Sequence, residues 1–191
     1  MISKPEPTEE QKEGEERDFG FLNMPRNSAV FDIGQGTGYM GKLLTDAGFT
    51  DIMGADASPS FVESAGKTGW YKSTQVIWFG KGVDQLPDDL KSRFDLVMAS
   101  GVFLGGHIPN DGFDDAHAMC KTGAYFVTSI RKEYWDDNSE FGYKKKIDEL
   151  VAAGKFSAPL KTWTFTRGVE GHEDPLFRPV ESFMFVVKRL D

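Results

Sequence analysis

The stretch Val30-Phe31-Asp32-Ile33-Gly34-Gln35-Gly36-Thr37-Gly38 constrains the fold of this 191-residue chain more than any other. An apolar strand ends on an acid, breaks into three alternating glycines, and gives way at once to a helical pattern. Glycine is required where the backbone turns with positive φ or lies flat against a ligand, because a Cβ there would clash. Strand, glycine turn and helix in that order mark a nucleotide-type pocket at the carboxyl end of a first parallel strand.

Two ligand classes fit the glycines. Gly36-Thr37-Gly38-Tyr39-Met40-Gly41 also satisfies the dinucleotide spacing G-x-G-x-x-G. Asp32 discriminates between them. A pyrophosphate carries two negative charges and sits where helix amides point, so a carboxylate just before the first glycine repels it. S-adenosylmethionine reverses the sign, since its sulfonium and α-ammonium are cations that an acid here helps to hold, directly or through water. A second acid, Asp56, ends the pattern Ile52-Met53-Gly54-Ala55-Asp56, 22 residues beyond Gly34. That is where a ribose diol is bound in both classes, so Asp56 supports a nucleoside without choosing.

The length suits one domain and is too short for a nucleotide domain plus a separate catalytic domain, which disfavours the usual two-domain dehydrogenase. A net charge of −8 argues against nucleic acid as the main partner. Lys144-Lys145-Lys146 reads as a solvated helix face. The single cysteine, Cys120, leaves no intrachain disulfide, suggests no thiolate metal site, and fits a small apolar role at a helix end. No run reaches the roughly 20 apolar residues of a membrane span, and the amino terminus does not read as a signal peptide. A soluble cytoplasmic protein is the expectation, with no membrane partner and an undetermined oligomeric state.

Residues 1–20 carry seven acids in the first 18 positions and almost nothing apolar, so they read as a flexible acidic tail ahead of a single domain at 21–191. From there strand and helix signals alternate, the pattern of a parallel sheet covered on both faces. A helix is predicted over 39–47, with Met40, Leu43, Leu44 and Ala47 on one face and Gly48 as its stop. Ser58-Pro59 opens a second helix, with Phe61, Val62 and Ala65 toward the core. Strands are predicted at 76–79, where Trp78 is read as core, at 94–99 and at 124–130, the last preceded by a helix over 109–121. Tyr143, Ile147, Leu150 and Val151 mark a further helix closed by Gly154. Segments 160–167 and 182–188 then pair as an antiparallel hairpin at the sheet edge. The expected class is α/β: a Rossmann-like, mostly parallel sheet with a C-terminal antiparallel hairpin and helices on both faces.

With these elements placed, residues 29–190 resemble the class I S-adenosylmethionine-dependent methyltransferases. Asp32-Ile33-Gly34-Gln35-Gly36-Thr37-Gly38 is similar to the first motif and Gly54-Ala55-Asp56-Ala57-Ser58 to the acidic second one. Leu86-Pro87 and Arg93-Phe94-Asp95-Leu96-Val97 resemble the approach to the fourth strand. A narrower likeness rests on Gly105-Gly106-His107-Ile108-Pro109, on Arg131-Lys132-Glu133-Tyr134-Trp135 and on the segment from Phe141 to Lys155. It is to the methyltransferase-like family whose vertebrate member is named for the Williams-Beuren syndrome region. The resemblance implies S-adenosyl-L-methionine as cofactor, bound by Asp32, Gly34, Gln35, Gly36, Gly38, Asp56, Ala57, Val83, Asp84 and Ser100. Two features depart from the family. Gly82 stands where many members carry an acid for the adenine amine, which leaves Val83 main chain or Asp84 to substitute. Only about 28 residues precede the first strand, so the expectation is a pocket lid that is partly missing or supplied by a partner.

Methyl transfer is an in-line displacement that needs alignment and exclusion of water more than covalent chemistry. Where an oxygen or nitrogen nucleophile must shed its proton a base serves, and His107, in a glycine-rich loop just past strand four, is the candidate catalytic and substrate-binding residue. A solvated loop histidine is the plain alternative. Glu133, Tyr134 and Trp135 are candidates for the acceptor side, the aromatics packing an apolar substrate or merely covering the sheet edge. His117, on a helix, and His172, in the hairpin loop, have no spacing that makes a metal cluster, and no metal is expected. The leading expectation is methyl transfer to a small molecule. Alternatives are a protein or peptide methyltransferase, a catalytically weak S-adenosylmethionine-binding regulatory domain, and an oxidoreductase.

Overall fold

The computed structural model describes residues 23–136, 139–167 and 179–191. The acidic segment at 1–20, the hairpin loop and His172 lie outside the described residues. Seven strands form one sheet: β1 (Ala29–Ile33), β2 (Asp51–Asp56), β3 (Ser73–Val76), β4 (Phe94–Ser100), β5 (Cys120–Arg131), β6 (Lys161–Arg167) and β7 (Val180–Lys188). Their order is β3-β2-β1-β4-β5-β7-β6, with β1 to β5 parallel and β7 antiparallel to both β5 and β6. The helices are α1 (Tyr39–Asp46), α2 (Pro59–Gly66), α3 (Gly112–Met119), α4 (Lys132–Trp135) and α5 (Tyr143–Ala152). Single 3-10 turns stand at Val83–Gln85 and Asp88–Leu90.

The central strands are apolar on both faces because both are covered. Phe31, Ile33, Val97, Ala99, Phe126 and Ile130 join Phe113, Ala116, Ile147 and Leu150 of α3 and α5 on one face. Val30, Ile52, Leu96, Met98, Val127 and Val186 join Leu44 and Ala65 of α1 and α2 on the other. After β1 the chain works outward through β2 to β3, then returns to place β4 on the opposite flank of β1. The loops after β1 and β4 therefore leave in opposite directions, opening a crevice at the carboxyl edge where ligands of such sheets bind.

Five sequence expectations shift. β3 covers Ser73–Val76, not 76–79, because β2 ends at Asp56 and the apolar residues beyond Val76 have no strand to pair with. Trp78 is accordingly not core but 65% exposed, while Phe79 is buried. Phe61 is 44% exposed, since α2 lies over the outermost strands and buries only Ala65. β5 starts at Cys120, ahead of its expected start, and absorbs Thr122, Gly123 and Ala124 in a register shift between Phe94 and Leu96, which leaves α3 shorter than expected. Cys120 is nonetheless buried as expected, and burial pushes its thiol up to about 12. The lysine run is not simply a solvated face: Lys146 is half-buried and reaches Asp111 at 3.0 Å and Asp114 at 2.6 Å. Among the described residues no helix is long and apolar enough to cross a membrane.

Candidate functional site

β1 delivers the chain into a loop in which Gly34, Gly36 and Gly38 take φ of +69°, +54° and +98°. A Cβ on Gly34 would stand 2.3 Å from Val102 Cγ1, so glycine here admits the loop that follows β4. A Cβ on Gly36 would meet nothing within 4 Å, which leaves open space on that side of the turn. The loop is tied to β2 by Gly34 N–H and Gln35 N–H, which donate to Ala55 O at 2.8 and 3.2 Å. The Gln35 side chain turns inward, so its main chain, rather than its amide, is what it offers a ligand; a Cβ on Gly54 would lie 2.1 Å from Gln35 Oε1.

The two acids play different parts. Asp56, half-buried at the end of β2, accepts Gly36 N–H at 3.0 Å on Oδ2 and Ser58 N–H at 2.9 Å on Oδ1, bridging the glycine loop and the start of α2. Each oxygen keeps a further lone pair, the acceptors that the two hydroxyls of a ribose diol need. Asp32 is 1% exposed, beneath the loop rather than on a rim. Its Oδ2 accepts the Tyr71 hydroxyl at 2.7 Å, and burial, opposed by that hydrogen bond and reinforced by Asp56, pushes the carboxyl up to about 7. Ala57 lies between Asp56 and Ser58, Val83 and Asp84 occupy a 3-10 turn, and Asp84 is exposed. Gly82 ahead of them has φ +105° and open space where a side chain would project.

On the far side of the crevice, exposed Ser100 ends β4, its Oγ 3.4 Å from Ser129 Oγ. His107 is exposed in the loop before α3, with Nδ1 3.3 Å from Gly105 O. A carbonyl only accepts, so in this contact Nδ1 carries the proton and Nε2 is the basic atom. Tyr143 anchors this loop, its hydroxyl reaching Ile108 O at 2.9 Å and Leu104 O at 3.3 Å. Asn110 Nδ2 donates to Phe141 O at 3.0 Å, and the Phe141 ring packs against Gly105. Tyr134 meets the Phe141 ring edge-on at 5.0 Å, which puts it beside the His107 loop. Trp135 packs on Phe183 and Phe185 of β7 and so covers the sheet, and Glu133 pairs with Arg131 at 3.3 Å.

Three residues of this architecture escape sequence reading. Tyr71 lies in an unremarkable Gly-Trp-Tyr stretch, Tyr143 reads as helix core, and Gly41 reads as the third glycine of a dinucleotide fingerprint. The crevice fits an adenosyl sulfonium better than a dinucleotide. It sets a glycine turn with open space beside two carboxylates, one under the loop and one at the second strand end, a set of acceptors that suits a cation and a diol.

Residues 30–123 match a family model described as a methyltransferase domain. Human methyltransferase-like protein 27 is 26% identical over 147 residues, 75% of this chain and 56% of the relative, so the chain spans little more than half of that protein's length. An S-adenosylmethionine-dependent O-methyltransferase from Thermotoga maritima superimposes with a TM-score of 0.63 at 17% identity, covering 100% of this chain and 67% of its own. An S-adenosylmethionine-dependent methyltransferase from Methanosarcina mazei does so with a TM-score of 0.61 at 14% identity, covering 91% and 97%. At these identities the solved structures speak for the fold. Residues 30–123 are thus similar to a methyltransferase domain, and the chain shares the Rossmann-like fold of these solved methyltransferases.

Proposed function

We propose that this protein transfers the methyl group of S-adenosyl-L-methionine to a small-molecule acceptor in the cytoplasm. The observation that carries the reading is the pairing of Asp32 and Asp56 around a glycine turn at the strand-order switch, opposite a braced loop that presents His107. Asp32 supplies the negative charge under the cofactor's cationic end, Asp56 and Ala57 receive the ribose, and the Val83 to Asp84 turn flanks the adenine. The glycines at 34, 36 and 38 let the main chain of Gln35 close on the ligand, with Ser100 at the β4 end of the crevice. When bound, S-adenosyl-L-methionine supplies an electrophilic methyl on a positively charged sulfur.

The remaining task of the chain is to align and deprotonate the acceptor. His107 Nε2 takes the proton from an oxygen or nitrogen nucleophile, with Nδ1–H held by Gly105 O. Glu133 and Tyr134 lie on the acceptor side after β5, and Trp135 stiffens that wall through β7. The narrower likeness to the family named for the Williams-Beuren region belongs to this proposal and rests on the segments after β4 and β5.

Mass spectrometry of the copurifying ligand, followed by a methyl-acceptor screen with isotopically labelled cofactor, tests the reading. Methyl incorporation into a small molecule that falls on the order of 100-fold in His107→Gln, with cofactor affinity unchanged, supports it. Incorporation only into peptide, or cofactor binding with no acceptor found, replaces it with the peptide or regulatory reading. Binding of NADH in place of S-adenosyl-L-methionine ends it.

A further inference from the structure

Gly41 lies past the turn that faces the pocket, within the first turn of α1, where glycine weakens a helix. Its surroundings account for it. A Cβ on Gly41 would stand 2.3 Å from Tyr71 Cζ and 2.6 Å from the Tyr71 hydroxyl. A Cβ on Gly54 of β2 would stand 2.9 Å from Tyr71 Cε1, and one on Gly38 would stand 3.1 Å from Tyr71 Cε2. Three glycines on two segments, Gly38 and Gly41 at the start of α1 and Gly54 in β2, are therefore arranged around one phenol ring, and the apparent dinucleotide fingerprint owes its third glycine to that ring rather than to a pyrophosphate.

The hydroxyl the slot admits has two partners. Gly41 N–H, one of the amides that a helix leaves without an internal acceptor, donates to the Tyr71 oxygen at 2.9 Å. No side chain caps α1 at Gly38, so the phenol does so from another segment. A backbone N–H only donates, which commits the one phenol proton to Asp32 Oδ2 at 2.7 Å. The direction of the chain Gly41 N–H to Tyr71 O–H to Asp32 is thereby fixed.

We propose that Tyr71 is the positioning residue of the cofactor site, carrying the positive end of α1 onto Asp32 so that the carboxyl can give up its proton and orient toward the cation of S-adenosyl-L-methionine. The inference rests on the methyltransferase reading above. Among the described residues the titratable groups that bear on Asp32 are Tyr71 and Asp56: the Tyr71 hydrogen bond favours the charged form, whereas burial and Asp56 oppose it. The opposing effects bring the carboxyl to about 7, so the phenol hydrogen bond decides how far it ionises at neutral pH. Burial and the Asp32 charge hold the phenol itself far above its ordinary value, so it remains a neutral donor. A protonated Asp32 would offer a cation nothing beyond a dipole.

Tyr71→Phe keeps the ring in its slot and removes only the hydroxyl. Carboxyl-carbon NMR titration of the free protein, with the Asp32 signal identified by its loss in Asp32→Asn, reads the ionisation midpoint without any ligand. Calorimetric affinity for S-adenosyl-L-methionine between pH 6 and 9, taken as the ratio of variant to wild type, cancels the titration of the ligand's own amine. The expected results are a midpoint raised by about one unit and binding about fivefold weaker at pH 7, recovering to within about twofold by pH 9. Uniform 3-fluorotyrosine labelling, which strengthens the phenol as a donor with little change of shape, moves the midpoint the other way and serves if Tyr71→Phe does not fold. An unmoved midpoint, or an affinity ratio that is flat with pH, overturns the role of Tyr71 while leaving the cofactor reading intact. A midpoint that moves as expected in a wild-type protein that binds no S-adenosyl-L-methionine sinks the cofactor reading, and the role assigned to Tyr71 with it.

Discussion

Gln35 is the residue at which polarity and burial conflict. It is 5% exposed, and among the described residues neither its Nε2 nor its Oε1 has a hydrogen-bond partner. An unsatisfied buried amide costs on the order of 1–3 kcal/mol, so removing it is not a loss. Gln35→Met, of similar length without the amide, is expected to hold or raise the stability of the free protein by about 1 kcal/mol, read from urea unfolding. The reciprocal change, Gly54→Ala, drives a methyl into the Gln35 amide and is expected to cost about 1–3 kcal/mol. A Gln35→Met protein destabilised by more than about 1 kcal/mol would show that the amide is bonded after all. At this scale the sequence reveals residues whose requirement is intrinsic. Gly34, Gly36 and Gly38 announce a backbone that needs positive φ, and Asp32 and Asp56 announce charge at strand ends. Tyr71 announces nothing, because its purpose is set by a carboxylate 39 positions earlier in the chain.

The loop between β4 and α3 shows how one element disciplines another. Residues 101–111 contain three glycines and form no regular structure, yet Tyr143 at the start of α5 fastens the carbonyls of Leu104 and Ile108 with a single hydroxyl. Burial pushes that phenol up to about 12, which keeps it protonated as a donor at any physiological pH. Tyr143→Phe leaves the ring contacts with Phe103, Phe113 and Phe141 and removes only the fastening. The expected outcome is a loss of about 1 kcal/mol and faster amide hydrogen exchange confined to residues 104–108, with exchange in the glycine loop after β1 unchanged. Exchange that rises equally throughout the sheet would mean that Tyr143 matters only for packing. Elements legible in the sequence are those whose boundaries have local causes, such as α1, which closes just before Gly48, or α2, with Ser58 and Pro59 at its start. β3 lies ahead of the apolar run at 76–79 because such a run forms a strand only where a neighbour extends alongside, and β2 stops at Asp56. β5 begins early because its start is set by pairing with Phe94 of β4, a constraint Gly123 does not display.

The molecule as a whole places a buried acid on β1, where the order of its parallel strands reverses, and that placement has a thermodynamic consequence. The Asp32 carboxyl rises from an ordinary 3.8 to about 7 in the folded protein, so the native state binds this proton more tightly than the unfolded chain does. A raised carboxyl favours folding fully below the unfolded value, and the benefit is lost as pH rises toward the folded value. Over that window the loss amounts to at most about 4 kcal/mol, at roughly 1.4 kcal/mol per unit. Asp32→Asn isolates this contribution, because it keeps the size of the side chain and the Tyr71 contact while removing the titration. Carboxyls held low in the native state, among them Asp191, have the opposite sign but are common to both proteins and cancel in the difference. The stability of wild type minus that of Asp32→Asn is therefore expected to fall steadily between pH 4 and pH 8 in denaturant titrations of the free protein. Saturating S-adenosyl-L-methionine should flatten the slope, since a bound cation favours the ionised acid and adds its own binding free energy to the folded state. A difference independent of pH in the free protein would mean that water reaches Asp32 and that its charge is carried without cost.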